Sequence, residues 1–182
     1  MRKYIMWSGV VLCFSFLAQA GKVTVKALPS KSGAVNGIGS ICDNVPGNLV
    51  ANCGFETADF TSWAQSGNLA YTGVDTSSAN SGMYGGFFGP IGDLGFITQT
   101  LPTTAGQTYS LTYYVSNTSN PNELLVSWDG MIVSDDADIP DSPYMSVTVD
   151  GLIASGDLTD LTFGFRNDPS YIDLDDVSVV AN

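Results

Sequence analysis

From residue 48 onward, apolar residues come in short alternating runs separated by turn residues. The runs are Leu69 to Val74, Tyr84 to Phe88, Phe96 to Leu101, Tyr109 to Val115, Leu124 to Trp128, Tyr144 to Val149, Leu158 to Phe165 and Tyr171 to Val180, with a brief Leu49-Val50 ahead of them. A period of two marks a strand with one face in a core and the other toward water. No window holds a helical period, and 20 glycines with 8 prolines oppose long helices. So many short strands predict an all-β fold of antiparallel sheets, a sandwich or barrel. In the clearest strand, Tyr109, Leu111, Tyr113 and Val115 share the face expected in the core, and Ser110, Thr112 and Tyr114 share the other.

The last run contains a slip. Ile172 and Leu174 alternate in one phase, Val177 and Val179 in the opposite one. One extra residue must lie between the two halves, which predicts a β-bulge at Asp175 or Asp176 and sets two carboxylates side by side. Adjacent carboxylates repel unless something positive lies between them. A hard cation held by oxygen ligands, Ca²⁺ first, is one resolution; a solvated acidic strand end is the other.

Composition narrows the setting. Arg2 and Lys3, an apolar stretch from Ile5 to Leu17, and Ala18-Gln19-Ala20 form a secretory signal over residues 1–20. The apolar stretch falls short of the roughly 20 residues a membrane span needs, so a secreted protein without membrane insertion is expected. Residues 21–47, rich in Gly, Ser, Lys and Pro, read as a leader with one short strand at Val23-Thr24-Val25, and residues 48–182 as a single domain. Of six basic residues, loss of Arg2 and Lys3 leaves four against 18 acidic ones, and there is no histidine. Such a charge repels phosphate backbones, which excludes nucleic acid as a partner and leaves divalent cations and neutral ligands. Cys13 is lost with the signal, so Cys42 and Cys53 form the expected disulfide.

The stretch Asn48-Leu49-Val50-Ala51-Asn52-Cys53-Gly54-Phe55-Glu56-Thr57-Ala58-Asp59-Phe60-Thr61-Ser62-Trp63 resembles the opening of secreted bacterial jelly-roll domains. Thr98-Gln99-Thr100-Leu101, Gly106-Gln107-Thr108-Tyr109, Val126-Ser127-Trp128-Asp129-Gly130, Phe165-Arg166-Asn167-Asp168-Pro169 and Leu174-Asp175-Asp176-Val177 continue the resemblance in order. Such domains are similar to the jelly-roll carbohydrate-binding modules of the galactose-binding-like group. The resemblance implies a jelly-roll β-sandwich and a structural calcium tying the first and last strands together. Its ligands would be Glu56, backbone oxygen near Gly54, and Asp175 or Asp176. Cys53 departs from the pattern by standing where glycine is usual. The Pro-Glu-Pro sorting tail that often follows these domains is absent before Asn182, so no surface anchor is expected.

Carbohydrate modules stack aromatic rings on the apolar faces of sugars. The aromatic candidates are Tyr71, Tyr84, Phe87, Phe88, Tyr114, Trp128, Tyr144 and Tyr171, most of them expected in the core. Tyr114, on a polar strand face, leads for ligand binding, followed by Tyr71 and Tyr84 beside Gly- and Ser-rich loops. Trp63 and Trp128 read as packing residues, Arg166 as one half of a structural ion pair, and Asp135 to Asp141 as a solvated loop. Asn117-Thr118-Ser119 fits a glycosylation sequon. With no histidine, paired cysteines and no lysine in the domain, the usual nucleophile–base dyads are missing. The sequence therefore points to a non-catalytic binder of a neutral polysaccharide. The rivals are a structural or adhesive envelope protein and a small polysaccharide-cleaving enzyme working with two carboxylates.

Overall fold

A computed structural model describes residues 22–27, 39–168 and 170–182. The signal segment 1–20 and residues 21 and 28–38 of the leader lie outside the described residues. The strands are β1 (Lys22–Ala27), β2 (Ala64–Gly67), β3 (Thr72–Asp75), β4 (Gly85–Phe88), β5 (Gly95–Pro102), β6 (Thr108–Asn117), β7 (Asn122–Trp128), β8 (Met131–Ala137), β9 (Ser142–Ile153), β10 (Leu158–Asn167) and β11 (Ile172–Ala181). One sheet runs β1-β9-β6-β11-β4-β3 and the other β2-β5-β10-β7-β8, with antiparallel pairing throughout. This is an all-β antiparallel sandwich of jelly-roll type. No helix among the described residues is long and apolar enough to cross a membrane.

Alternation decides which side chains meet between the sheets. Tyr109, Leu111, Tyr113 and Val115 of β6 are buried, as are Ile97 and Leu101 of β5 and Leu161, Phe163 and Phe165 of β10. Phe88 stacks on Phe165 with ring centroids 3.8 Å apart, and Phe163 meets Tyr113 edge-on at 5.2 Å. Trp63 and Trp128 are buried as packing residues. Each large apolar side chain moved from water to this core contributes about 1.5–3 kcal/mol.

Three expectations about elements change. Leu49-Val50 forms no strand: only Leu49 N–H reaches across, to Val179 O at 2.9 Å. The edge strands β2 and β8 have no counterpart among the predicted runs. β2 is exposed along its length and β8 is exposed or half-buried, so neither shows the alternation that burial of one face imposes. Accordingly Asp135 and Asp136 belong to β8, and only the rest of that acidic run is loop. The sequon asparagine, Asn117, is 2 % exposed and its amide donates to Ile139 O at 2.7 Å, which closes it to glycan attachment in the folded chain.

The segment from Asn48 to Cys53 is bound to the last strand. Asn48 Nδ2 donates to Val177 O at 3.3 Å, Asn48 Oδ1 accepts from Val179 N–H at 2.9 Å, and Val177 N–H donates to Cys53 O at 2.9 Å. A short 3₁₀ turn, Ile41–Asn44, carries Cys42 to its disulfide with Cys53, 11 residues on. Replacing both cysteines with alanine is expected to lower the unfolding free energy by about 3 kcal/mol, the entropy of a loop that short. Guanidinium denaturation reads it; an unchanged midpoint would mean that the Asn48 contacts hold the segment unaided.

Candidate functional site

The register of β11 against β6 breaks between Asp175 and Ser178. Asp176 there adopts φ +51°, in the left-handed region that an aspartate tolerates better than most residues. The slip turns both carboxylates into the protein: Asp175 is 0 % and Asp176 1 % exposed.

The loop between β3 and β4 supplies their partners. Asp175 Oδ2 accepts from Asn80 N–H at 2.7 Å and Ser81 N–H at 3.0 Å, while its Oδ1 accepts from Asp176 N–H at 2.7 Å. Asp176 accepts from the Ser81 hydroxyl at 2.7 and 2.8 Å, from Asn80 Nδ2 at 2.8 Å, and from Cys42 N–H at 3.4 Å. Tyr144, from β9, donates its hydroxyl to Ser78 O in the same loop. Glu56 holds the loop's far end: Met83 and Tyr84 N–H donate to its Oε1 at 2.9 and 3.1 Å.

Gly54 forms the floor between Glu56 and Asp175. A Cβ there would fall 1.7 Å from Ser40 Oγ and 3.4 Å from Asp175 Oδ1, and Ser40 Oγ itself donates to Glu56 Oε1 at 3.2 Å. The fold thus brings Glu56, Gly54, Asp175 and Asp176 into one neighbourhood, together with Ser40, Asn80 and Ser81, which no motif in the sequence singled out.

Among the described residues no basic side chain answers this buried charge. Both ion pairs among the described residues belong to Arg166, with Glu123 at 3.5 Å and Asp168 at 2.9 Å, the structural pairing expected of it. Burial first, and then the charge of Asp176, pushes Asp175 up to about 8. Burial likewise raises Asp176 and Asp173, the latter against a hydrogen bond from Ser116. Cys42, Asp43 and Cys53 also group ligand atoms closely, but both sulfurs are committed to the disulfide, so this is no metal site.

The outer face of the five-stranded sheet presents a different surface. The Phe96 ring lies over Gly164 of β10, where a Cβ would come within 2.7 Å of it, and against Gly67 of β2, where a Cβ would come within 2.9 Å. Thr98 and Thr162 share a hydrogen bond of 2.8 Å across β5 and β10, and Thr100 donates to Asp160 Oδ1 at 2.6 Å. Beside them opens a cleft of about 630 Å³ lined by Ser62, Ala64, Thr98, Thr100 and Asp160 among others. Phe96 was absent from the aromatic candidates, although its phase opposite Ile97 and Leu101 placed it outward.

The tyrosines named from sequence all belong to the other sheet or its loops. Tyr114, half-buried on the outer face of β6, stands in register between Asp175 and Ser146. Tyr71 is 61 % exposed in the turn before β3, and Tyr84 is half-buried beside the Glu56-held loop. The pairings give no contact that joins the three into one site.

No family model matches this chain, and no curated protein matches it. Solved structures share its fold. TmCBM61, determined in complex with β-1,4-galactotriose, superposes with a TM-score of 0.60 at 14 % identity, over 74 % of this chain and 99 % of that one. A cleaved adhesin domain of Lys-gingipain from Porphyromonas gingivalis gives 0.56 at 14 % identity, over 71 % of this chain and 96 % of its own. The enzymatically active domain of bacteriophage CBA120 tailspike protein 4 gives 0.56 at 16 % identity over 74 % of this chain, but only 21 % of that longer chain is covered. These likenesses define the class of fold, a β-sandwich of the kind built into carbohydrate-binding modules.

The acid pair makes stability depend on pH. An unfolded aspartate loses its proton near 3.9, whereas folded metal-free Asp175 keeps it up to about 8. Between those values the native state binds more protons, so stability falls as pH rises. Asp59, held low by Thr61 and Thr57, acts only below that window. Melting temperature in chelator is expected to drop from pH 4 to pH 8 in the wild type, with a shallower slope in Asp175→Asn; equal slopes would contradict the assignment.

Proposed function

We propose that this chain is an exported, non-catalytic carbohydrate-binding module for a neutral polysaccharide, with a structural calcium ion between the segment around Gly54 and the last strand. The observation that carries the binding role is the Phe96 ring lying over Gly164, next to the hydroxyl- and carboxylate-lined cleft of Thr98, Thr100, Ser62 and Asp160. A pyranose offers axial C–H groups to a ring face and hydroxyls to polar groups around it. The galactotriose complex of TmCBM61 supports the reading through its shared fold. With 18 acidic residues against six basic ones, an anionic glycan would be repelled.

Calcium follows from the donor set. Asp175, Asp176, Glu56 and Ser40 offer oxygen only, the chemistry of a hard cation. The charge of Asp175 and Asp176 is buried, with no basic side chain bonded to it among the described residues, and a carboxylate oxygen that accepts one hydrogen bond, as Asp175 Oδ1 does, keeps a lone pair. Glu56, Asp175 and backbone oxygen near Gly54 would hold the ion, with Asp176 beside them. Bound there, calcium neutralises the pair and links the segment around Gly54 to β11; it supplies no reaction chemistry.

Affinity electrophoresis through gels containing β-1,4-galactan, xylan or mixed-linkage β-glucan tests the binding role. Retardation in at least one gel is expected, weakened about tenfold by Phe96→Ala at an unchanged melting temperature. Free migration in all three would contradict the assignment. Melting in calcium against chelator tests the ion: saturation at 100 times Kd stabilises by about 2.7 kcal/mol, or roughly 5–10 °C for a domain this size. Superimposable curves would remove calcium from the account.

A further inference from the structure

A second aromatic surface lies on the opposite sheet, formed around Phe87 of β4. Phe87 of β4 points away from the core, and its ring covers Gly73 of β3, where a Cβ would come within 2.5 Å of it. Tyr171, just before β11, covers Gly89 in the same way at 2.9 Å. The two rings meet edge-on with centroids 5.5 Å apart. The backbone of Tyr71 adjoins them, its carbonyl accepting from Gly89 N–H at 2.9 Å. Tyr171 is 40 % exposed and Tyr71 61 % exposed.

An aromatic ring over a strand glycine shields backbone and stiffens an edge. That accounts for Phe87 over Gly73, but it leaves two tyrosines held at the surface with much of their area in water. The construction repeats that of Phe96 over Gly164: a half-buried ring resting on a glycine, with polar groups alongside. Here the polar neighbour is Asp173, opposite Phe87 in register, with Ser116 hydrogen-bonded to it at 3.0 Å. The described basic side chains lie elsewhere, Lys22 and Lys26 on β1 and Arg166 on β10, so an anionic ligand finds no counter-charge.

We propose that Tyr71, Phe87 and Tyr171 form a second neutral-glycan platform, so that the domain is bivalent and bridges two polysaccharide strands through its two sheets. The assignment rests on the carbohydrate-binding reading and extends it from retention on one chain to cross-linking. Because β3 is an edge strand, a long polymer can run across the patch and off the open edge of the sheet. Two weak sites on opposite faces add avidity on a polymer that neither has on a free oligosaccharide.

The test compares wild type, Phe96→Ala, Tyr171→Ala, Tyr71→Ser and the Phe96→Ala/Tyr171→Ala double variant. Each is run in gels cast with β-1,4-galactan, xylan and mixed-linkage β-glucan, with turbidity of the same soluble polymers measured in parallel. Thermal melts show which variants remain folded, and Tyr71→Ser, at the more exposed ring, stands in should Tyr171→Ala unfold. Each single change is expected to weaken retardation about tenfold and to abolish wild-type turbidity, and the double change to abolish retardation. If Phe96→Ala alone abolishes retardation while the tyrosine variants behave as wild type, bivalence is overturned and the binding role survives. If wild type migrates freely in every gel, both fall. Concentration-dependent dimerisation lost in Tyr171→Ala, with retardation intact, would overturn the platform in favour of a contact between copies of the chain.

Discussion

The structure depends on two adjacent carboxylates taken out of water at a bulge in its last strand. Burying an ionised carboxylate without partners costs several kcal/mol, so Asp175 and Asp176 dictate what surrounds them. The β3–β4 loop must fold inward to present Asn80 and Ser81, and the 3₁₀ turn must bring Cys42 N–H to Asp176. Glu56 must then hold the loop at Met83 and Tyr84. Segments far apart in sequence are thereby fixed at one point, and the disulfide and the Asn48 contacts reinforce that point from the side.

Glycine gives the surfaces their chemistry. At Gly164 and Gly73 the missing Cβ lets a ring from the neighbouring strand lie down on the sheet instead of standing away from it. A ring so laid has fewer conformations to lose, so the proposed stacking of a sugar on it would gain from pre-organisation. One sandwich built from alternating residues therefore sets a ring against a strand glycine on each outer face. The core between the sheets, dominated by the Phe88–Phe165 stack, keeps the two apart.

Much of this was legible in the sequence. The period-two runs announced the buried faces of β5, β6, β7, β10 and β11. The phase slip between Leu174 and Val177 announced the bulge and its two aspartates. The even cysteine count announced the disulfide. What stayed hidden shares one physical cause: it depends on contacts between distant segments. The edge strands β2 and β8 carry no alternation because no face of theirs is fully buried. Ser40 and Ser81 look like ordinary loop serines until the fold sets them on Glu56 and Asp176. Phe96 becomes a platform only because Gly164, 68 positions later, is its neighbour across the β5–β10 pair.

The central claim is that a hard cation balances the acid pair and joins the segment around Gly54 to β11. Calorimetric titration of Ca²⁺ into metal-stripped protein, beside the Asp175→Asn and Glu56→Gln variants, tests it most directly. The account predicts saturable uptake of one ion per chain in the wild type and none in either variant. Absence of uptake in the wild type, or uptake that both substitutions leave intact, would contradict it.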